Sequence, residues 1–209
     1  MRNEVNTASQ IKRNPGRPRE FDIDEALGRA MEIFWINGYH ATSINDLTHG
    51  MGLTKGSIYK AFKDKKSIFL ASFERYVTNG VVGKFEQGLA TGRPPLELIR
   101  ELLLHYAKIS SATRGVKGCL VTATALEMVP HDPEIAKKVV NALGRIRSFL
   151  LKALTLGKRD SSLCAELDEQ TTAFFLLCII QGMRVLGKTA PKESDLNQVV
   201  QLAMRAISP

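Results

Sequence analysis

Cysteine is scarce in this 209-residue sequence. The three cysteines, Cys119, Cys164 and Cys178, form an odd set without a C-x-x-C motif, and no secretory signal precedes them. We therefore expect no disulfide framework and a reducing, cytoplasmic location. His105 and His131 stand at no metal-ligand spacing from a cysteine or a carboxylate, so the sequence predicts neither a metal nor a cofactor.

Long hydrophobic runs are also absent. No uninterrupted apolar run reaches about 18 residues, the length that a membrane-spanning helix needs. The most apolar run, residues 173–180, is followed by Gln181 and Arg184, so we expect no membrane span. No stretch shows the alternation of apolar and polar residues that is typical of β-strands. The sequence therefore predicts an all-α fold.

Residue groupings that carry out catalysis are missing as well. No Ser-His-Asp or Cys-His arrangement and no phosphate-binding loop stands out. Glu127 and Asp132 form no recognisable acid–base pair. We therefore expect that the protein is not an enzyme.

Acidic residues are outnumbered by basic ones. The chain contains 29 lysines and arginines against 21 acids, which gives a net charge of +8. Residues 1–19 hold five basic residues and one acid, and residues 54–66 hold five lysines and one aspartate. Such an excess favours a polyanionic partner, although a single charged run is as typical of a solvated face. Residues 81–209 are also mildly basic, so charge alone does not locate a binding site.

Apolar residues recur at spacings of three and four along most of the chain, which predicts about nine helices. Glycine and proline separate them, as at residues 92–95. Residues 1–19 are polar and basic, and we expect a flexible arm there. Residues 20–80 are expected to form a small N-terminal domain with a three-helix helix-turn-helix unit. Residues 81–209 then form a larger C-terminal helical bundle.

The stretch of residues 42–66 has the pattern of a helix-turn-helix. Ser43 is the predicted N-cap of its first helix, and Gly50 and Gly52 are expected to break that helix. Thr54 is the predicted N-cap of the second helix. The outer face of the second helix carries small polar, basic and aromatic side chains, which suits a nucleic-acid surface.

Several motifs in this region resemble the DNA-binding domain of the tetracycline-repressor (TetR) family of bacterial regulators. The resemblance covers residues 20–78. Its matching segments, in chain order, are FWINGY at 34–39, ATSI at 41–44, GMGLTKGSIY at 50–59 and FKDK at 62–65. Further along, KGCLV at 117–121 and ALE at 125–127 resemble a segment found in one broad subgroup of the family.

The resemblance implies that the second helix of the motif enters the major groove of DNA. Its first residues would meet base edges and phosphates, and Lys55, Gly56, Ser57 and Tyr59 are the candidates for reading sequence. Other side chains would contact the phosphate backbone. The predicted DNA-binding residues in this domain are Thr42, Ser43, Thr54, Lys55, Gly56, Ser57, Tyr59, Lys60 and Lys65.

Two arginines of the basic arm are candidates for a second DNA contact. Arg17 and Arg19 flank Pro18, which favours an extended backbone. An extended strip with two arginines suits a minor groove narrowed by A·T pairs, where the negative potential attracts arginine. An arm that contacts nothing remains the alternative.

Family membership also implies a ligand pocket between the C-terminal helices and a homodimer formed by the last two helices, at about residues 168–187 and 193–207. The small residues Ala173, Gly182 and Gly187 would allow the partner helices to approach closely. The candidate ligand-binding residues are apolar or aromatic, apart from one arginine, and each apolar one has an ordinary core role as its alternative. They are Tyr106, Met128, Phe149, Phe174, Phe175, Met183 and Arg184.

Cys119 supports a separate hypothesis. It follows Gly118 near a predicted helix N-terminus, with Lys117 and Arg114 close in sequence. Those features lower the pKa of a thiol and raise its reactivity, although a small buried cysteine that does not react fits the same sequence.

These observations predict a sequence-specific, DNA-binding transcriptional regulator, most simply a repressor that a small-molecule effector releases from a palindromic operator. The alternative within the same class is a thiol-based sensor of oxidants or electrophiles that acts through Cys119. A protein-interaction module that has lost DNA binding is a third possibility, which the intact Lys55, Tyr59 and Lys65 disfavour.

Overall fold

The computed structural model describes residues 22–208, which form eleven α-helices and one short 3₁₀ helix without any β-strand. The predicted arm of residues 1–19, with Arg17 and Arg19, lies outside the described residues. Nine of the described α-helices have eight residues or more, and the other two are shorter. In chain order the α-helices are α1 Ile23–Asn37, α2 Ile44–Met51, α3 Lys55–Ala61, α4 Lys65–Thr78, α5 Val82–Ala90, α6 Pro95–Ile109, α7 Ala112–Val116, α8 Leu120–Glu127, α9 Pro133–Arg159, α10 Glu169–Leu186 and α11 Glu193–Arg205. The prediction of an all-α fold is confirmed.

Side-chain caps set the boundaries of the helix-turn-helix. Ser43 and Asp46 form a capping box at the start of α2, and the Thr54 hydroxyl accepts a hydrogen bond from the Ser57 amide at the start of α3. Gly52 ends α2 in the left-handed conformation, with φ 67°. The expectation that Gly50 breaks the helix was wrong. Gly50 lies inside α2, where an added Cβ atom would stand 2.2 Å from the Ile33 side chain, so it allows α2 to pack closely on α1.

Buried apolar residues form two clusters. The first, here called the N-terminal core, joins α1 to α4 with α8 and the start of α9, and it includes Phe34, Leu47, Ile58, Phe69 and Leu120. The second, the C-terminal core, lies between α5, α6, α9, α10 and α11. Because the N-terminal core includes residues from both sides of position 80, the helix-turn-helix is packed directly onto the larger bundle.

Close backbone packing joins α7 to the 3₁₀ helix Gly187–Thr189. A Cβ atom on Gly115 would lie 2.3 Å from the Ser110 carbonyl oxygen, and one on Gly187 would lie 2.9 Å from the same atom. Both glycines therefore serve contacts within the chain. The prediction that Gly187 and Ala173 line a subunit interface was wrong, because both residues are buried inside this bundle. Only Gly182 of the three small residues lies on the outer face of α10.

The segment Glu169–Thr189 has a mean hydropathy of 1.3 and is long and apolar enough to cross a membrane, by length and composition alone. No other helix within residues 22–208 meets this criterion. Core and interface helices pass the same test, so this property is weak evidence for a membrane span. Its inner face belongs to the C-terminal core. Its outer face leaves Phe174, Phe175 and Val185 exposed.

Candidate DNA-binding surface and ligand cavity

The second helix of the helix-turn-helix, α3, presents its predicted contact residues on one exposed side. Lys55, Gly56, Tyr59 and Lys60 are all exposed, and the Tyr59 side chain is 49 % accessible. Ile58, which is fully buried, fixes this helix to the N-terminal core from the opposite side. Since α3 contains no acidic residue, its outer face combines two ammonium groups, a phenol and an uncovered stretch of backbone.

Three hydroxyl groups near this surface take part in caps. The Ser43 hydroxyl pairs with the Asp46 carboxylate at 2.7 Å, and Thr54 and Ser57 share a hydrogen bond of 3.0 Å. Ser43 and Thr54 are nevertheless exposed, and Ser57 is half-buried. Their oxygens thus lie at the surface while they hold the ends of α2 and α3 in place.

Two of the predicted phosphate contacts have internal partners instead. Thr42 is 1 % exposed, and its hydroxyl donates to the Gly38 carbonyl at 2.6 Å. The Lys65 ammonium donates to the carbonyl oxygens of Tyr39 and Thr42 at 3.0 and 2.9 Å, and it lies over the Tyr39 ring. These contacts close the loop between α1 and α2. Both side chains therefore hold the helix-turn-helix together from inside the domain.

A cavity of about 430 Å³ lies between the helix-turn-helix and the larger bundle. Residues of α1 and α4 form one wall, and residues of α5, α6, α8, α9 and α10 form the others. The lining side chains are mostly apolar or aromatic, with several cationic groups among them. They include Met31, Trp35, Tyr76, Val77, Val81, Lys84, His105, Tyr106, Ile109, Cys119, Val121, Leu143, Arg145, Ile146, Gln181 and Arg184.

Two of the seven predicted ligand residues, Tyr106 and Arg184, line this cavity. The other five lie elsewhere. Met128 is buried in the N-terminal core, and Phe149 and Met183 are buried in the C-terminal core. Phe174 and Phe175 are 54 % and 40 % exposed on the outer face of α10. Helical spacing places a residue on a face of its helix but does not say which neighbour that face meets, and this explains the difference.

Sequence reasoning missed the wall that the DNA-binding region contributes. Trp35 is half-buried and lines the cavity together with Tyr76. The Trp35 indole also donates to the Gly118 carbonyl at 3.3 Å. An amphipathic tryptophan near the end of a helix was the available signal, because its N–H needs a partner when it is buried.

Cys119 is the N-cap of α8 and stands in the cavity wall. Burial raises the pKa of its thiol, but the Thr122 backbone N–H, the Arg184 charge and the Tyr76 hydroxyl together lower it, and the net shift is downward. The two cations expected to act on it point elsewhere. Lys117 pairs with Glu32, and Arg114 lies 3.2 Å from Glu193. The relevant charge is that of Arg184, which is distant in sequence.

Arg184 is buried, with 4 % of its surface exposed. Its guanidinium donates to the carbonyl oxygens of Ile109 and Gly118 and to the Ser110 hydroxyl. Among the described residues, its Nε–H has no hydrogen-bond partner. Because Gly118 also accepts from Trp35, one carbonyl links the cavity arginine to α1.

Ion pairs and charged hydrogen bonds connect the helix-turn-helix to α8 and α9. The Glu127 carboxylate accepts from the backbone amides of Tyr39 and His40 at 2.9 and 2.6 Å. The Lys66 ammonium lies 2.7 Å from Asp132 and 2.8 Å from Glu134, and these two hydrogen-bonded carboxylates raise its pKa above the ordinary range. These contacts tie α8 and the start of α9 to the loop before α2 and to the start of α4.

Comparison with known proteins agrees with this architecture. Residues 26–72 match the family described as bacterial regulatory proteins, tetR family, and residues 95–203 match the tetracyclin repressor-like C-terminal domain. The HTH-type transcriptional repressor ComR of Escherichia coli (strain K12) is 27 % identical over 196 residues, which cover 93 % of each chain.

Two solved structures extend the comparison. A cysteine-substituted form of the TetR-family regulator CifR, in complex with a 26-base-pair operator DNA, is 30 % identical with a TM-score of 0.80. The alignment covers 93 % of this chain and 100 % of that one. The reduced form of Escherichia coli NemR has the same fold at 17 % identity, with a TM-score of 0.76 over 88 % of this chain and 96 % of that one. The resemblance found in the sequence is confirmed, and the chain belongs to the TetR family of bacterial transcriptional regulators.

Proposed function

We propose that this protein is a sequence-specific DNA-binding repressor that an effector releases from its operator. The observation that carries the proposal is the outer side of α3, where Lys55, Gly56, Tyr59 and Lys60 are exposed together without an acidic neighbour in that helix. Lysine and tyrosine donate to phosphates and base edges, and the helix N-terminus favours an anion. The net charge of +8 favours the same partner.

Release by an effector follows from the position of the cavity. Because α1 and α4 form one of its walls, a molecule bound there would touch the same domain that carries α3. An effector that prefers a different separation of the two walls would shift the equilibrium away from the DNA-binding arrangement. The repressor name of ComR and the operator-bound CifR complex support this direction of control.

In this proposal the regulator is a homodimer. It is located in the cytoplasm, and it binds DNA without catalysing a reaction. Exposed apolar side chains on α10 and α11, among them Phe174, Phe175, Val185 and Leu202, favour pairing with the same helices of a second copy. Two recognition helices related by a two-fold axis would read a palindromic operator with half-sites about one helical turn apart.

The experiment that tests the proposal is capture of genomic DNA fragments by the purified protein at moderate salt, followed by sequencing. We expect a palindromic sequence to be recovered, and we expect Tyr59→Ala to lose it while keeping the fold. Recovery of all fragments alike, with a steep loss on adding salt, would contradict sequence-specific binding. The exposed Leu126→Ala is a matched control, because Leu126 lies on α8, away from α3.

A second candidate function is sensing of oxidants or electrophiles through Cys119. It is favoured by the downward shift of the Cys119 pKa and by the position of the thiol in the cavity wall. Cysteines were substituted in the CifR structure, and NemR was described in a reduced form. The test is release of operator DNA by hydrogen peroxide or an alkylating agent. Unchanged release in Cys119→Ser would exclude this function, and Cys178→Ser serves as the control for an exposed thiol.

A further inference from the structure

Arg184 carries a buried charge that no carboxylate of the described residues neutralises. Within residues 22–208, no carboxylate lies at ion-pair distance from its guanidinium, although the side chain is 4 % exposed. Carbonyl and hydroxyl oxygens occupy the two terminal nitrogens, while Nε has no partner. A buried charge without a counter-charge is costly, and a buried donor without an acceptor adds to that cost. An anion in the cavity would meet both needs.

The remaining charged groups of the cavity have the same sign. Lys84 and Arg145 stand with Arg184 among the lining residues, whereas no aspartate or glutamate of the described chain does. Arg145 lies 3.5 Å from Glu86, outside the lining, so that cation is partly compensated. Burial, followed by the charges of Arg184, Lys108 and Lys84, lowers the pKa of His105, which also indicates a positive potential here.

Most of the other lining residues of the cavity are apolar or aromatic. Trp35, Tyr76 and Tyr106 contribute rings, and Val121 and Ile146 contribute aliphatic groups. Burial, which outweighs the other influences, raises the pKa of Tyr106 to about 12, so its phenol stays a hydrogen-bond donor. A volume of about 430 Å³ lies in the range that suits a small organic ligand rather than an inorganic ion.

We propose that the effector is an amphipathic organic carboxylate whose anionic group binds Arg184 and whose apolar body lies against Trp35 and Tyr106. This inference rests on the proposed function, since it names the ligand class of the cavity through which release would occur. Arginine holds a carboxylate through parallel N–H donors, and Nε–H is one donor of that kind. Fatty acids and aromatic acids share this chemistry.

The test compares acids with uncharged analogues of the same shape. Decanoate is paired with decanamide, and a naphthalene carboxylate is paired with its carboxamide. Binding is followed by fluorescence, because Trp35 is the single tryptophan of the chain and lines the cavity. We expect at least one acid to bind about tenfold or more tightly than its amide, since hydrogen bonds to charged groups contribute that much. The better of the two pairs distinguishes an aliphatic from an aromatic body.

Variants then test whether Arg184 is the residue that binds the carboxylate. Arg184→Gln and Arg184→Lys should each weaken binding of the acid about tenfold or more and leave binding of the amide nearly unchanged. Arg93→Gln is the control, because Arg93 pairs with Glu101 at the surface. Should Arg184→Gln fail to fold, the difference in affinity between acid and amide on the unaltered protein tests the inference. Lys84→Gln should weaken binding of the acid and leave binding of the amide unchanged.

Equal binding of acid and amide, or no binding of either acid at millimolar concentration, would overturn the inference. Operator retention is measured on the same samples without ligand. If the operator is retained but no acid is preferred, the ligand class is wrong and the DNA-binding function stands. If no operator is retained while the acid binds selectively, the ligand class stands and the proposed regulation fails.

Discussion

Gly56 is a predicted DNA-contact residue whose missing side chain does not serve the fold. It lies in the first turn of α3 without a positive φ, and a Cβ atom there would meet only the Thr54 hydroxyl at 3.9 Å. The free protein therefore has room for alanine, which has the higher helix propensity. The absence of a side chain at this position is useful only when another molecule approaches the backbone closely.

We predict that Gly56→Ala stabilises the protein by up to about 1 kcal/mol and weakens operator binding about tenfold or more. Urea unfolding gives the stability, and fluorescence anisotropy with labelled operator gives the affinity. Gly83→Ala is the matched control, because Gly83 is exposed on α5 with open space around its Cβ position. It should raise stability and leave operator binding unchanged. Unchanged affinity in Gly56→Ala would mean that DNA does not approach this backbone.

At this scale the sequence predicted the exposed residues better than the enclosed ones. Lys55, Tyr59 and Lys60 are exposed as expected, because α3 is short and Ile58 fixes its orientation. Lys65 looked equivalent to them in sequence, but its ammonium binds two carbonyl groups of the preceding loop. Composition cannot separate a lysine that faces solvent from one that closes a loop, since the difference depends on where distant backbone oxygens lie.

Among the elements, α8 connects the cavity to the loop that precedes α2. Cys119 and Val121 on this helix line the cavity, and Glu127 at its last turn holds the amides of Tyr39 and His40. Those two residues open the loop that leads into α2. Charged hydrogen bonds of this kind contribute more than neutral ones. The loop between α1 and α2 is thus held by the Glu127 carboxylate, which lies at the C-terminal end of α8, whereas the N-terminal end of α8 lines the cavity.

We predict that Glu127→Ala lowers the free energy of unfolding by about 1–2 kcal/mol, because two charged hydrogen bonds are lost. Hydrogen exchange of the Tyr39 and His40 amides should become faster, and operator binding should weaken because α2 and α3 are less firmly placed. Exchange followed by mass spectrometry measures the first effect. The neighbouring Leu126→Ala, at a position that is 76 % exposed, should change neither. Unaltered exchange in Glu127→Ala would exclude this role.

A second link between elements depends on pH. The Lys66 ammonium, with help from the amides of Ile135 and Glu134, holds the pKa of Asp132 below its ordinary value of about 3.8. Because the pKa is lower in the folded state, the stabilisation is complete above about pH 3.8 and is lost as the pH falls through the folded value. Asp132 also caps α9, so its charge contributes to both contacts.

We therefore predict that Asp132→Asn, which keeps a side chain able to cap a helix, is less stable than the unaltered protein near neutral pH. The difference should shrink as the pH is lowered to about 3 and below. Urea unfolding at several pH values measures it. Lys66→Gln removes the main cause of the shift, and it should move the loss of stability in the unaltered Asp132 to higher pH. A difference that is independent of pH would contradict this account.

Helix boundaries were predictable where side chains cap the helix ends. Ser43 and Thr54 cap α2 and α3 as their positions before apolar runs suggested. Gly50 misled the prediction, because a glycine that lets two helices approach looks the same in sequence as one that ends a helix. The five-residue helix α7 was missed, since it is too short to show a periodicity and depends on its contact with the 3₁₀ helix.

In the whole molecule, the cavity joins the two regions that the sequence separates near residue 80. Trp35 and Tyr76 lie before that position, whereas Tyr106, Cys119 and Arg184 lie after it. Periodicity assigns each residue to a face of its own helix, but the pairing of faces comes from packing of the complete chain. The sequence could therefore predict that a mostly apolar pocket lies between helices. It could not predict that α1 and α4 of the N-terminal domain form one wall of that pocket.

The outer face of α10 leaves large apolar side chains exposed, although the Arg147 guanidinium lies over the Phe174 ring. Phe174 and Phe175 are 54 % and 40 % exposed there, and Val185 continues the same face. On α11, Leu202 is 63 % exposed. Exposed aromatic residues in a row on one helix mark an interface more often than a solvated face.

We predict that the protein is a dimer of about twice 23.1 kDa and that Phe174→Asp makes it monomeric. The added charge would be buried against a second copy, and its desolvation disfavours pairing. Light scattering after gel filtration measures the mass. Because the two half-sites are then bound independently, operator affinity should fall about a hundredfold or more, while affinity for a single half-site stays the same. Ile36→Asp, at an exposed position on α1, should remain dimeric. A dimeric Phe174→Asp would place the subunit interface on another face, and full operator affinity in a monomeric variant would exclude two-fold recognition.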